Sequence, residues 1–328
     1  MFKYVIYFNF VAESIGVNMG TNGNNLPAPA DVKSLYAKCS IQQMRLFEPN
    51  LDILGALRQS GIRVCLGVRN EDLPKLGASN DPAPSTDWLN TNVVPFKDDV
   101  TFSYITLGNE AVPGQFAQNV PAAINNMQNA LNSLGLGTIK VTTVVPTSVL
   151  GASFPPSNAT FSPDNLQIMG DIISFLNGNG APLLVNVYPY FSYASNPSDI
   201  SLQYATFQST KPVVVDGDYQ YYNLFDAMVD AIHAAIEKVG AGNIAVAISE
   251  SGWPSAGNDP YASVDNARVY NTNLVDHVTK NGTPRRPEDR MDTFIFAMFN
   301  ENLKAEGVEQ NFGLFYPSMA LVYPVFSC

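Results

Sequence analysis

Residues 244–257, IAVAISESGWPSAG, carry an ionisable carboxylate to the end of an apolar run. The run reaches Glu250, and Gly252 and Pro254 then end any regular strand pattern. A strand that is apolar on both faces is typical of a parallel sheet covered by helices. We therefore predict a buried strand that delivers Glu250 to the carboxyl edge of such a sheet.

The same arrangement recurs along the chain, because short apolar runs alternate with segments of helical periodicity nearly from end to end. Helical patterns include 50–61, 119–135 and 166–180. Eight strand–helix units in one chain predict an α/β fold of the (β/α)8 TIM-barrel type, a closed parallel barrel ringed by helices. The predicted strands are 15–20, 42–47, 63–68, 102–110, 140–145, 182–188, 244–250 and 292–301.

An open, doubly wound sheet is the alternative fold, and it usually carries a glycine-rich phosphate turn after its first strand. The turn here, GTNGNNLPAP, has neither the GxGxxG spacing nor the GxxxxGK[ST] lysine. The stretch GAGNIA at 240–245 follows a helix and enters a strand, which is the wrong order for binding phosphate. We therefore expect no nucleotide cofactor.

Composition argues against several classes of partner. The formal net charge is −11 at pH 7, whereas nucleic acid and anionic membrane both require a basic surface. No apolar stretch approaches 18 residues, so no segment is expected to span a membrane. The two histidines, His233 and His277, are too few for a histidine-rich metal site, and His233 flanks the apolar stripe of a predicted helix. We expect no metal.

The three cysteines are Cys39, Cys65 and Cys328. They are odd in number and include no CxxC pair, so the sequence predicts neither a zinc site nor a disulfide framework. Residues 1–14 combine a lysine with an apolar run, and we interpret them as the remnant of a secretory signal. Glycosylation sequons begin at Asn158 and Asn281 and are compatible with secretion.

We predict a single domain over residues 15–328. The longest irregular stretch, 189–222, interrupts the sixth unit and is rich in tyrosine. Long loops in compact domains are usually functional. We predict that this stretch is a small subdomain over the carboxyl mouth of the barrel, where the sites of this fold lie.

Three predicted strands deliver a glutamate to that mouth: Glu110 in LGNEAVPG, Glu250 in ISESGWPS and Glu301 in FNENLK. Two carboxylates in one cleft suit the cleavage of a glycosidic bond, since one protonates the leaving oxygen while the other attacks or activates water. The alternative is a structural carboxylate paired with Arg45, which lies near the end of the second strand.

Aromatic and amide side chains at the same strand ends favour a sugar-binding cleft. They include Tyr188, Trp253 and Phe299, together with Asn109 and Asn186. Serine chemistry is disfavoured because there is no GxSxG motif and neither histidine ends a strand. A cysteine nucleophile is disfavoured because Cys65 lies inside an apolar strand and lacks a histidine partner.

At this point the chain resembles glycoside hydrolase family 17, the plant β-1,3-glucanases, over about residues 15–326. The resemblance implies a (β/α)8 barrel and a retaining endohydrolase of β-1,3-glucans such as callose, laminarin or fungal wall glucan. It also implies a monomer, and with the secretory features a secreted or vacuolar enzyme. The segments that carry it are IGVNMG, GNNLPAP, MRLFEPN, YITLGNE, APLLVNVYPYF, ISLQYATFQ, LFDAMVDA, VAISESGWPSAG, FIFAMFNENLK and FGLFYP.

Matched residue by residue, the resemblance implies that Glu250 is the nucleophile and Glu110 the general acid/base. It implies that Asn109 hydrogen-bonds the 2-hydroxyl of the sugar being attacked. It also implies a charged cluster of Glu301, Lys304 and Glu309, which would help to hold the acid/base and the substrate in place. The remaining substrate-binding candidates are Phe47, Asn186, Tyr188, Phe191, Trp253, Phe299, Glu301, Lys304 and Glu309.

Two positions depart from the family pattern, which commonly has tyrosine where this chain has Met19 and Phe47. We expect both to point towards the glycone side of the cleft. Phe47 lacks a hydroxyl that could support the nucleophile, so reduced activity is expected. The alternatives are a mixed-linkage β-1,3-1,4-glucanase on the same scaffold and a weakly active, glucan-binding or allergen-like barrel protein.

Overall fold

The computed structural model describes residues 15–242 and 244–328. The predicted secretory signal at 1–14 lies outside the described residues. The described strands are β1 (Ile15–Met19), β2 (Gln43–Leu46), β3 (Arg63–Val68), β4 (Thr101–Asn109), β5 (Lys140–Pro146), β6 (Leu150–Ala152), β7 (Thr160–Phe161), β8 (Leu183–Asn186), β9 (Val214–Asp216), β10 (Tyr219–Tyr221), β11 (Val246–Ser251) and β12 (Thr293–Ile295).

Eight of these strands form a closed barrel in the order β1–β2–β3–β4–β5–β8–β11–β12, with β12 pairing back to β1. Every neighbouring pair in the ring is parallel. The (β/α)8 barrel predicted from the sequence is confirmed, and all eight barrel strands begin within two residues of their predicted positions.

The helices lie between successive strands along the chain. They are α1 (Pro29–Lys38), α2 (Leu51–Ala56), α3 (Leu73–Leu76), α4 (Ala83–Asn92), α5 (Val120–Ser133), α6 (Leu166–Asn179), α7 (Pro189–Ser195), α8 (Leu202–Ala205), α9 (Leu224–Lys238) and α10 (Val264–Lys280). Short 3-10 turns occupy Asn70–Asp72, Val94–Phe96, Ala117–Asn119, Thr147–Val149, Pro156–Asn158 and Val308–Gln310.

Helix α9 illustrates how the sequence encodes the outer layer. The Asn223 side chain caps its first turn by accepting from the Asp226 amide. Its buried apolar face includes Phe225, Val229 and Ile232 at helical spacing. Burial of each such side chain favours folding by about 1.5–3 kcal/mol. His233 is buried beside this stripe, as the sequence predicts.

The last strand is shorter than predicted because the chain leaves the sheet after Ile295. The Phe296 amide still donates to Ser251, but the Ala297 amide donates to the carbonyl of Phe312. Residues 296–328, which we call the C-terminal segment, therefore pair with one another and close over the barrel mouth. This pairing brings the aromatic rings of Phe296 and Phe312 together, with their centroids 5.4 Å apart.

The predicted insertion at 189–222 contains α7, α8 and the antiparallel hairpin β9–β10. A second hairpin, β6–β7, follows the fifth barrel strand. Asp216 ties the two hairpins together, since its carboxylate accepts from the Ser157 amide and hydroxyl, both at 2.7 Å. The division into one domain with a subdomain stays a prediction.

The expectation of no disulfide is wrong. Cys39 and Cys328 are bonded across 289 residues of sequence, while Cys65 is the free and buried cysteine of the described chain. Spacing could not reveal this pair because the fold alone brings the C-terminus back to the end of α1. None of the described helices is long and apolar enough to cross a bilayer.

Candidate active site

Glu250 lies at the mouth because of the turn that follows it. Strand β11 ends at Ser251, and a β-carbon added to Gly252 would lie 2.2 Å from the carbonyl oxygen of Phe296. Only glycine permits this approach of the two backbones. The GWP motif therefore ends the strand. It also lets the backbone at Gly252 pack against the backbone at Phe296, directly behind Glu250.

Glu110 lies just beyond β4, where the strand bulges. The register with β5 shifts between Thr106 and Asn109, and both Gly108 and Glu110 have positive φ, at 80° and 54°. The Asn70 side chain holds this backbone reciprocally: it donates to the Asn109 carbonyl at 2.9 Å and accepts from the Asn109 amide at 2.8 Å. The bulge turns Glu110 into the cleft.

Each carboxylate oxygen of Glu250 has a hydrogen-bond donor. Arg45 Nη1 donates to Oε1 at 2.8 Å, and the Tyr188 hydroxyl donates to Oε2 at 2.8 Å. Burial and the adjacent Glu250 raise the pKa of Tyr188 far above its usual value, so its hydroxyl remains protonated and able to donate. The buried Arg45 guanidinium balances the negative charge of Glu250.

Asn109 connects the two glutamates. Its Oδ1 accepts from Arg45 Nη2 at 2.8 Å, and Asn186 Nδ2 lies 3.4 Å from the same oxygen. Asn186 Nδ2 also donates to Glu110 Oε1 at 2.8 Å. A continuous polar chain therefore runs from Glu250 through Arg45, Asn109 and Asn186 to Glu110.

Glu110 reaches the open cleft, but the cleft walls remove much of the water around its carboxyl group. This desolvation is the main cause that raises its pKa, and the negative charges of Glu250 and Glu309 act in the same direction. The hydrogen bond from Asn186 and the charge of Arg45 oppose the rise. Glu110 is thus shifted towards the protonated form that an acid catalyst needs.

The cleft consists of two cavities that share Glu250, Phe296 and Glu309. The first, which we call the acid-side cavity, contains Glu110 together with Asn186, Tyr188, Phe191 and Phe312. The second, the polar-side cavity, contains Phe47, Asn109, Glu301 and Lys304. Ten of the twelve predicted site residues thus line one continuous cleft around Glu250, namely Glu110, Glu250, Asn109, Asn186, Tyr188, Phe191, Phe47, Glu301, Lys304 and Glu309.

Glu301 and Lys304 form a fixed charged pair in the polar-side cavity. Lys304 Nζ lies 3.2 Å from Glu301 Oε2, and Glu301 Oε1 accepts from the Asn22 amide at 2.7 Å. Lys304 Nζ also lies 4.1 Å from the centroid of the Phe296 ring. This cavity therefore offers both hydrogen-bond donors and acceptors to a polar ligand. Among residues 15–242 and 244–328, no cluster of histidine, cysteine and carboxylate side chains has the arrangement of a metal site.

The family model for glycosyl hydrolases family 17 matches residues 15–326. The chain belongs to this family. A putative glucan endo-1,3-beta-glucosidase GVI of Hordeum vulgare is 49% identical over 95% of this chain and 97% of its own length. Lichenase-2 of the same species is 45% identical over 95% of this chain and 98% of its own.

Solved structures agree with this family 17 fold. One is the beta-1,3-glucanase and pollen allergen CJP38 of Cryptomeria japonica, with a TM-score of 0.92 at 46% identity. The superposition covers 96% of this chain and 99% of that one. The barrel and its mouth therefore follow the architecture of the family.

Two predicted substrate-binding residues do not reach the cleft of this family 17 chain. Trp253 is 0% exposed, donates through its ring nitrogen to the Tyr261 carbonyl at 2.9 Å, and supports the cleft from behind. Phe299 is buried beside Phe315. Met19 also is buried and lines neither cavity, because β1 directs its side chain into the hydrophobic core. These residues lie at or just beyond strand ends, but that position does not determine the direction in which a side chain points.

Sequence reasoning misses two kinds of contributor and understates a third. The sequence suggests Arg45 as a structural partner of a carboxylate, and Arg45 does pair with Glu250, but it also holds Asn109. Phe296 and Phe312 line the acid-side cavity only because the C-terminal segment folds over the mouth. Asn70 has no motif signal, since its role depends on a contact with a residue 39 positions away.

Proposed function

We propose that this family 17 chain hydrolyses β-1,3-glucosidic bonds inside β-1,3-glucans and retains the configuration of the anomeric carbon. The observation that carries the proposal is the pair of glutamates in one cleft with opposite surroundings. Glu250 is held by Arg45 and Tyr188, while the pKa of Glu110 is raised. The names of the relatives, several of them glucan endo-1,3-beta-glucosidases, support the choice of linkage.

In the first step, a carboxylate oxygen of Glu250 attacks the anomeric carbon while Glu110 transfers its proton to the departing glucosidic oxygen. Glu250 loses its negative charge in this step, which weakens its attraction to Arg45, while the separate hydrogen bond from Arg45 Nη2 to Asn109 still holds the guanidinium. Asn109 is positioned to hydrogen-bond the 2-hydroxyl of the sugar, an interaction that strengthens in the transition state.

In the second step, water displaces Glu250 from the anomeric carbon and Glu110 accepts the proton of that water. Esterified Glu250 carries no charge, so one cause that raises the pKa of Glu110 is removed. Glu110 thereby changes from acid to base without moving. The fixed partners of both carboxylates support this reuse of one geometry in both steps.

The division of the cleft supports an orientation for the glucan chain. Glu110 lines the acid-side cavity but not the polar-side cavity. Because Glu110 protonates the leaving oxygen, the leaving portion of the glucan chain lies in the acid-side cavity, where Tyr188, Phe191 and Phe312 provide aromatic rings. The glycone lies in the polar-side cavity with Asn109, Glu301 and Lys304. Endo action is supported by the relatives that are named as glucan endo-1,3-beta-glucosidases.

A mixed-linkage β-1,3-1,4-glucanase is the second candidate, favoured by the similarity to a lichenase at 45% identity. Both activities use the same two glutamates, so the site residues do not separate them. Digestion of laminarin and of barley β-glucan, with products resolved by length, distinguishes the two. We expect faster cleavage of laminarin and a ladder of intermediate products.

The same assay tests the glutamates and the weakly active alternative. We expect Glu250→Gln to lower kcat on laminarin by at least about a thousandfold, since removal of a nucleophile eliminates the covalent route. Glu306→Gln changes an exposed carboxylate that lines neither cavity; it is the control and should retain activity. Parent-level hydrolysis by Glu250→Gln would overturn the mechanism, and an inactive parent would favour the binding-protein alternative.

We propose further that the protein matures in an oxidising compartment and is secreted or vacuolar. The Cys39–Cys328 disulfide supports this, because such bonds persist outside the reducing cytosol. The exposed sequon asparagines Asn158 and Asn281 are compatible with it. Fractionation of the native tissue with an antibody tests the location, and recovery in the cytosol alone would contradict it.

A further inference from the structure

A second pocket opens beside the acid-side cavity, between the β6–β7 hairpin and the 189–222 segment. We call it the branch pocket. Its floor is aliphatic, formed by Leu150, Pro156, Ala227 and Ala231. Two apolar side chains stand exposed at its edge, Phe154 at 73% and Val213 at 49%. Ligand sites commonly combine a concave apolar floor with large apolar side chains that are exposed to solvent at the edge.

The branch pocket is continuous with the catalytic cleft. Thr147, Ser148, Ser192 and Met228 line both it and the acid-side cavity. That cavity holds Glu110, the residue that exchanges a proton with the leaving or entering oxygen. A group that enters the branch pocket is therefore attached to the leaving or accepting side of the substrate and not to the glycone.

The chemistry of the lining differs from that of a sugar subsite. Sugars require many hydrogen bonds and flat aromatic faces, whereas the buried lining of this pocket is mostly aliphatic, from alanine, leucine and proline side chains, with Tyr204 as a buried aromatic residue among them. Polar groups occur at its border, on Ser192, Asn196 and Asp199. A ligand with one sugar at the border and a hydrocarbon portion on the floor matches this distribution.

We propose that the branch pocket binds the apolar aglycone of alkyl or aryl β-glucosides, which then act as acceptors of the glucanosyl group. The inference rests on the proposed function. A hydroxyl of the acceptor sugar attacks the anomeric carbon in place of water, the bond from that carbon to Glu250 breaks, and Glu110 takes the hydroxyl proton. The products are a β-linked glucanosyl glucoside and free enzyme with Glu250 ionised.

The test compares two acceptors that differ only in their tails. The full-length enzyme digests laminarin in the presence of equal concentrations of methyl β-glucoside or hexyl β-glucoside, and mass spectrometry measures the transfer products. We expect at least about tenfold more transfer to the hexyl acceptor, because each buried methylene favours binding by several-fold. The rate of laminarin hydrolysis is recorded in the same samples.

A matched pair of variants tests the location. Val213→Asp adds a charge to the pocket wall, whereas Val215→Asp adds the same charge two residues away, at a 63% exposed position that does not line the pocket. We expect Val213→Asp to reduce the hexyl-to-methyl transfer ratio at least about fivefold and Val215→Asp to leave it unchanged. Phe154→Ala should reduce the ratio in the same direction.

The outcomes separate this inference from the proposed function. Laminarin hydrolysis with equal or absent transfer to the two acceptors would overturn the inference and leave the function intact. A hexyl preference that survives Val213→Asp as well as Val215→Asp would also overturn it, since the tail would then bind elsewhere. Absence of laminarin hydrolysis would instead contradict the proposed function.

Discussion

Glu250 and Glu110 are the same side chain in two different surroundings. Glu250 has a cation on one oxygen and a hydroxyl on the other, whereas Glu110 has an amide donor and two negative neighbours. Charge partners favour an ionised carboxylate, and desolvation with like charge favours a neutral one. The roles that we propose for the two glutamates, nucleophile and acid, therefore rest on their neighbours and not on residue type.

The amide of Asn186 acts on the pKa of Glu110. Its hydrogen bond to Glu110 favours the ionised form and opposes the rise in pKa. In the proposed mechanism the first step needs protonated Glu110, so we expect activity to be lost as pH rises through the pKa of Glu110. Asn186→Ala removes the donor, raises that pKa further, and should move the basic limb of the kcat/KM profile to higher pH.

The pH profiles of Asn186→Ala and Ser192→Ala on laminarin check this expectation. Ser192 lines the same cavity, but Asn186 is the side chain that bonds to Glu110, so Ser192→Ala should leave the limb in place. A basic limb that moves to lower pH in Asn186→Ala would show that Asn186 favours the neutral carboxyl instead.

Phe47 gives a second test. The sequence predicts that its missing hydroxyl leaves the nucleophile one hydrogen bond short, but both oxygens of Glu250 already have donors. The ring instead lies 4.3 Å from the Arg45 guanidinium. We therefore expect Phe47→Tyr to change kcat/KM on laminarin by less than about threefold. A gain above about fivefold, the value of one neutral hydrogen bond, would restore the original expectation.

At the level of a single element, β4 shows where sequence reasoning stops. The apolar pattern predicts the strand and its terminal glutamate. It could not predict the bulge after Thr106, because the bulge depends on Gly108 and on a side chain from the turn after β3. Local periodicity contains no information about such a contact.

Asn70→Ala tests whether this contact positions the acid. The substitution removes both hydrogen bonds to the Asn109 backbone, so Asn109 and Glu110 lose their fixed direction. We expect kcat to fall at least about tenfold with KM nearly unchanged, since small misplacements of catalytic groups are costly. Steady-state kinetics on laminarin measure both constants.

Two further variants complete that experiment. Asn70→Asp keeps the acceptor for the Asn109 amide and should retain more activity than Asn70→Ala. Glu71→Ala, an exposed neighbour in the same 3-10 turn, should behave as the parent. If Asn70→Ala, Asn70→Asp and Glu71→Ala all lost kcat and thermal stability to the same extent, the turn would serve folding only and would not position Glu110.

At the scale of the whole molecule, the barrel was predictable because eight apolar strands alternating with helices admit few other folds. The features that long-range contacts create were not. Trp253 and Phe299 point away from the cleft, Phe296 and Phe312 enter it from the C-terminal segment, and Cys328 returns to Cys39.

The disulfide gives a prediction at this scale. It closes a loop of 289 residues, and loops of this length lose much entropy in the unfolded chain when bridged. We expect Cys328→Ser to lower the free energy of unfolding by about 2–4 kcal/mol, measured by guanidinium titration. The parent in dithiothreitol should match the variant. Identical unfolding of parent and variant under oxidising conditions would show that the bond contributes nothing.

A covalent bond between Glu250 and the sugar is the feature that separates the proposed retaining mechanism from an inverting one. A 2-deoxy-2-fluoro laminaribiosyl fluoride slows the release of such an intermediate, so mass spectrometry of the intact and digested protein can locate it. We expect one added 2-deoxy-2-fluorolaminaribiosyl group, on the peptide that contains Glu250, and no added group in Glu250→Gln. A label on Glu110 or on any other residue would contradict this expectation. Hydrolysis of the fluoride with inversion of the anomeric carbon, by a protein that stays unlabelled, would contradict it as well.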